Sequence, residues 1–267
     1  AALATLISRV VEFAAMAVYA GVNRRFRLRL SCLIRPGREI VRKFIHYSGP
    51  VVFNEGMWGL GTSLYKVIMG HMEGSTEILA ARALAGNIED ICLVAIFAMA
   101  GTTGITVGRE IGSGRDSGTV YQVGAAMDTL ALFCGLGIGL VLLAATRLFL
   151  APVVYPLFRL SENAAGIATM MLTFTAAAMP LRAFNTTNTV GVLRGGGDVR
   201  AAMLIDILPL WCVALPLAAL FGLGLRWGIF WVYVGIMAEQ FVKFGIGLYR
   251  LRSREWINDV TQFSRTE

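Results

Sequence analysis

The 267-residue chain is 56% hydrophobic and only 15% charged, and its mean hydropathy of +0.66 lies well outside the balance of a soluble globular domain. Its net charge of +7 would suit a nucleic-acid partner, but the basic residues cluster at the ends of apolar runs, which is a membrane pattern. These properties exclude a soluble enzyme or a DNA-binding domain and define an all-α integral membrane protein, since no alternation of about ten residues suggests a barrel.

Seven apolar runs predict helical spans at residues 1–22, 40–71, 77–108, 120–147, 163–193, 200–222 and 227–250. Each is long enough to cross a bilayer. The chain begins Ala1-Ala2-Leu3 inside the first run, without the basic segment of a signal peptide, and reads as the C-terminal part of a longer protein. Residues 23–43 form a basic, partly amphipathic connection holding Arg24, Arg25, Arg27, Arg29, Arg35, Arg38, Arg42 and Lys43. Such a segment suits a linker on the cytoplasmic membrane surface. After it come a six-span block at 44–252 and a short tail at 253–267. One remnant span followed by six more suggests a duplicated transporter cut near its middle.

Arg109 and Arg115, Arg194 and Arg200, and Arg250, Arg252, Arg254 and Arg265 mark further basic connections. The intervening ones hold only Arg147, Arg159 and Arg226, and 71–77 has none. This strict alternation predicts a multi-pass inner-membrane protein with a cytoplasmic C-terminus. Cys32, Cys92, Cys134 and Cys212 fit no metal-ligand spacing and are expected to pack as small apolar residues. No cofactor is implied.

Charges inside the spans are the candidates for function. Glu55 follows Asn54 in the second run, roughly 12 residues from its basic flank, or about 18 Å deep at helical rise. A charge there costs about 2.5–3.5 kcal/mol on the insertion scale and needs a partner or a task. Arg182, directly after Pro180, also falls near mid-membrane, with Glu89-Asp90 close behind; Asp206 sits nearer one end of its span and Asp128 lies within another. Arg9/Glu12 and Glu239/Lys243 have the spacing of same-helix ion pairs. Lys66 and Arg82 lie near span ends, where such side chains snorkel. Two readings stay open for Glu55: a carboxylate that binds Na⁺, a proton or a cationic substrate and releases it as a helix bends, or a permanent ion pair with Arg182.

The stretch Pro50-Val-Val-Phe-Asn54-Glu55-Gly-Met-Trp58-Gly-Leu-Gly61-Thr62, continuing to Tyr65 and Gly70-His-Met, resembles the seventh span of the multidrug and toxic compound extrusion (MATE) transporters. Pro180-Leu-Arg-Ala-Phe184-Asn185, with Gly191-Val-Leu-Arg194-Gly-Gly-Gly197-Asp198-Val-Arg200, is similar to the family's tenth span and following loop. Gly108-Arg-Glu-Ile-Gly112-Ser-Gly114 and Arg252-Ser-Arg-Glu-Trp256-Ile-Asn258 also fit. The resemblance implies a twelve-helix, two-lobe fold, with this chain supplying the sixth helix, the linker and the C-terminal lobe; the N-terminal lobe would be its partner. It also implies export of small amphipathic organic cations in exchange for Na⁺ or H⁺, with Glu55 as the coupling acid and no reaction catalysed. The acid that some members place in the tenth span is missing, because 163–193 contains no Asp or Glu. Coupling then falls to Glu55, Asp206 or Glu239, with Asn54, Arg182 and Lys243 as neighbours, or to acids of the absent lobe. The alternatives are a lipid-linked precursor flippase with a basic cavity, or a membrane scaffold subunit. Asp198 and its glycines suit a turn, since no Walker lysine follows.

Overall fold

The computed structural model describes residues 2–22 and 37–258, all of it helix and short connections, with no strand among them. Residues 23–36 of the basic linker and the residues after 258 lie outside the described part, and from Arg38 onward the expected linker is already helical. The chain forms two compact units, residues 1–49 and 50–267.

The first unit contains α1 (Ala2–Val22) and the opening turns of α2 (Arg38–Gly70). Arg9 and Glu12 meet at 2.7 Å on α1, as their spacing requires. The second unit holds the rest of α2 and five helices long and apolar enough to cross a membrane: α3 (Ser75–Gly112), α4 (Ser117–Leu157), α5 (Glu162–Leu193), α6 (Val199–Gly224) and α7 (Ile229–Ser253). The protein is therefore a multi-pass, all-helical membrane protein.

Boundaries follow local chemistry. Asp116 caps α4, accepting from the Thr119 amide at 2.9 Å and its hydroxyl at 2.6 Å, and these bonds hold its carboxyl below its ordinary pKa. Ser161 caps α5 and Asp198 caps α6 in the same way. Asp198 is also gripped by Arg250 at 2.7 Å, so it organises a turn, as the sequence indicated. The fourth helix ends ten residues later than the apolar run suggested. Its last turns widen into a π-helical stretch, Thr146–Val154, that carries Pro152 without ending the helix. Arg147 therefore sits in a helix and not in a connection.

The remaining π-helical stretches are Thr187–Leu193 in α5 and Leu210–Ala214 and Leu220–Gly224 in α6. The two in α6 come directly after Pro209 and shortly after Pro216, where the missing N–H interrupts the ladder. At the C-terminal end Trp256 is fully buried and donates to the Leu251 carbonyl at 3.0 Å. It covers Gly196, where a Cβ would lie 2.4 Å from its ring.

The core is built on a close seam between α4 and α5. A Cβ on Gly139 would lie 2.4 Å from the Ala176 carbonyl oxygen, and one on Gly135 would lie 2.6 Å from the Ala183 Cβ. Small residues let helices approach this closely in a bilayer, where apolar burial gives no net drive. Gly139→Ala will destabilise the purified protein by about 1–3 kcal/mol, read as a lower detergent melting temperature. Gly137→Ala, whose Cβ would meet nothing within 4 Å, is the matched control. The described cysteines depart from expectation: Cys134 and Cys212 are exposed and Cys92 is only partly covered, while Cys32 lies outside the described residues.

Candidate functional site

Inside the second unit, α2, α3, α5, α6 and α7 turn polar side chains toward two neighbouring cavities that share Trp58, Leu93, Arg182, Glu239 and Gln240. One, of about 580 Å³, is lined by Tyr65, Arg82, Glu89, Asp90 and Tyr233. The other, of about 110 Å³, is lined by Asn54, Glu55, Asn185, Arg194, Asp206 and Lys243. The six residues singled out in the sequence, Asn54, Glu55, Arg182, Asp206, Glu239 and Lys243, thus come together around one polar region; Glu239 and Lys243 pair as their spacing predicts, while a Glu55–Arg182 pair, one of the two readings left open, does not form.

Arg182 does not pair with Glu55. Its guanidinium bonds Glu89, which also receives Arg82 at 2.9 Å. Glu89 is 6% exposed, so this Arg–Glu–Arg triad neutralises a deeply buried carboxylate. Arg82 accordingly has a partner inside the protein and does not snorkel. Glu55 instead faces Arg194, at 3.2 and 3.3 Å from its two terminal nitrogens, and its side chain is 59% exposed.

Around Asp206 the geometry is looser. Arg194 lies 3.7 Å from one of its oxygens and Lys243 3.7 Å from the other. Asn54 donates to Asp206 at 3.4 Å while its own Oδ1 has no partner. Lys243 also stands 3.7 Å from Glu239, the contact their four-residue spacing predicted. Glu239 in turn accepts from Gln240 at 3.0 Å and from the Tyr65 hydroxyl at 3.4 Å. Asn185 donates to the Gln240 carbonyl and side chain at 2.9 and 3.0 Å.

Distances divide the network into two parts. At 3.7 Å a charged pair attracts but is too long for a well-made hydrogen bond. The Glu89 triad is closed and short, suited to holding helices. The Asp206 group is held by longer contacts, 3.7 Å to each of two cations and 3.4 Å to Asn54. Five acids (Glu55, Glu89, Asp90, Asp206, Glu239) face five bases (Lys66, Arg82, Arg182, Arg194, Lys243) across the two cavities. The lining is balanced, neither acidic nor basic.

Sequence reasoning overlooked Arg194, Tyr65, Gln240 and Asn185 as members of this network. Arg194 was counted among the basic residues of a connection; it caps the end of α5 and turns back inward. The signal available was its place directly after an unbroken apolar helix and before three glycines.

Comparison with known proteins gives this geometry a family. Residues 50–220 match the MatE family model. The chain belongs to the MatE family. Among curated relatives, an uncharacterized Bacillus subtilis transporter, YisQ, is 27% identical over 96% of this chain and 54% of its own length. A probable multidrug resistance protein NorM from Xanthomonas campestris is 27% identical over 88% of this chain and 50% of its own length. The chain therefore spans about half the length of the curated relatives it matches. Among solved structures, a MOP superfamily transporter from Pyrococcus furiosus, described as having a binding pocket of reverse polarity, superposes with a TM-score of 0.78 at 21% identity, over 99% of this chain and 56% of that one. The MATE transporter ClbM in complex with Rb⁺ superposes with a TM-score of 0.72 at 21% identity, covering 82% of this chain and 49% of that one. Membership places the chain among relatives that are named as a transporter and as multidrug resistance proteins.

Proposed function

We propose that the chain is the C-terminal lobe, with the preceding helix, of an inner-membrane antiporter. It would export small amphipathic organic cations in exchange for Na⁺ or H⁺ by alternating access, with an N-terminal lobe completing the cavity and the C-terminus cytoplasmic. The observation that carries this reading is the under-bonded Asp206, reached by Asn54, Arg194 and Lys243 at 3.4–3.7 Å. A carboxylate so placed can be neutralised by Lys243 in one state and by an entering cation in another, with Glu239 receiving the displaced lysine. That competition gives each ligand a different affinity for the two states, which exchange requires.

Glu55, more exposed and set against Arg194, suits a first contact for the incoming ion or substrate better than a sealed site. Its removal will weaken apparent cation affinity by roughly tenfold, the equivalent of about 1.4 kcal/mol. The check is cation-dependent efflux of ethidium from proteoliposomes holding the complete Glu55→Gln protein. Unchanged affinity would take Glu55 out of the pathway, and the absence of any substrate-dependent Na⁺ or H⁺ flux in the wild type would overturn the antiporter reading. A lipid-linked precursor flippase should have a basic cavity, and the balanced lining here gives that reading no support.

A further inference from the structure

Asp128 lies outside the polar cavities, on the α4 face that packs against α5. It is 1% exposed, and about 12 residues separate it from the Asp116 cap, or roughly 18 Å along the helix. On either side along α4 the seam is closely packed. A Cβ on Gly124 would meet Val192 at 3.2 Å and Trp256 at 3.1 Å, and one on Gly135 would meet Ala183 at 2.6 Å.

Asn188, in the π-helical stretch of α5, donates its amide to Asp128 Oδ2 at 2.7 Å. The second carboxyl oxygen, Asp128 Oδ1, and the amide oxygen, Asn188 Oδ1, are both buried with no hydrogen-bond partner. On the far side of Asn188, α7 presents Gly247, where a Cβ would stand 3.0 Å from Asn188 Oδ1. Among the described residues no Arg, Lys or His nitrogen lies within 4.0 Å of Asp128. On the neighbouring helices, Arg182 is bound to Glu89, Arg194 to Glu55 and Asp206, Lys243 to Asp206 and Glu239, and Arg250 to Asp198.

An ionised carboxylate in that seam would be an uncompensated buried charge. Two acceptors that already share one hydrogen bond cannot satisfy each other's remaining oxygens; one proton between them can. Protonated on Oδ1, Asp128 becomes a donor for the Asn188 carbonyl, and acid and amide form a doubly bonded neutral pair. A metal ion would want several oxygens, and this pair offers three, one of them already accepting from Asn188.

We propose that Asp128 and Asn188 form a proton-binding site, separate from the Asp206 network, in which the neutral acid–amide pair keeps α4 closed against the π-helical stretch of α5. Loss of the proton leaves a charge that the seam cannot hold, so release accompanies opening of this seam to water. The π-helical widening at Thr187–Leu193 is where α5 can yield, since such segments bend more easily than the α-helix around them.

The test is infrared difference spectroscopy on the complete protein in lipid. At neutral pH Asp128→Asn will remove a protonated-carboxyl carbonyl band, and Asp128→Glu will restore one at a shifted frequency. Raising the pH will bleach the wild-type band as a carboxylate band appears, and Asn188→Leu will move the midpoint of that titration. Loss of a carboxylate band at neutral pH in Asp128→Asn would overturn the proposal, as would a wild-type band that never titrates. A band that follows Na⁺ at fixed pH would also overturn it. Should Asp128→Asn fail to insert, wild-type protein labelled with ¹³C at the aspartate carboxyl gives the same titration, and Asp128→Glu, which loses the isotope shift, assigns it.

Discussion

Arg182→Ala will lower the stability of the purified protein by about 3 kcal/mol, the lower end of the range for breaking a buried ion pair. Glu89 is 6% exposed and loses one of two cations, keeping only Arg82 at 2.9 Å. The remaining carboxylate is then half-compensated in a place water reaches poorly. Neutralising it should recover most of the loss, so Arg182→Ala with Glu89→Gln will be more stable than Arg182→Ala alone. Arg182→Ala with Glu55→Gln will gain nothing, because Glu55 faces Arg194 and is largely exposed. Detergent melting curves for the two double-mutant cycles measure both coupling energies directly. Equal rescue by Glu55→Gln would restore the Arg182–Glu55 pair, the second of the two readings open from sequence.

The choice between those two readings shows where sequence stops being readable. Apart from the end of α4, hydropathy placed the long helices within a few residues, because burial in lipid constrains every residue of a span. It also placed Arg182 and Glu55 at similar depth, yet depth fixes only one of three coordinates. Which acid an arginine meets depends on the rotation of each helix, and that is set by contacts such as Gly135 and Gly139 against Ala183 and Ala176. Pairs on one helix escape this problem: Glu239 and Lys243 meet because four residues make one turn. Arg194 was hidden for another reason, since a basic residue at a helix end serves topology and a cavity equally well. The close of α4 was missed because Pro152 usually ends a helix, and here a π-helical turn absorbs it. Asp128 was visible as a charge in an apolar run, but its lack of a cation could only be seen once the neighbouring helices were packed.

The largest functional effect is expected from Asp206→Asn. Asn54, Arg194 and Lys243 all reach this one carboxylate, so under the proposed antiport mechanism removing its charge takes away what the coupling cation and the lysine would compete for. Coupled exchange in proteoliposomes should fall by about 100-fold, equivalent to roughly 2.7 kcal/mol. The fold should survive, because Asp206 is partly exposed with side-chain accessibility of 19% and asparagine keeps an acceptor for Asn54. A melting shift worth no more than about 1 kcal/mol is expected. Lys243→Met makes the complementary case. Without its internal competitor, Asp206 should hold the coupling cation more tightly, so cation affinity rises while turnover falls, because release then lacks the group that displaces the ion. A purely structural ion pair predicts the opposite pattern, with both variants unstable and neither altering affinity. Full coupled exchange in a well-folded Asp206→Asn protein would move the coupling site out of this lobe.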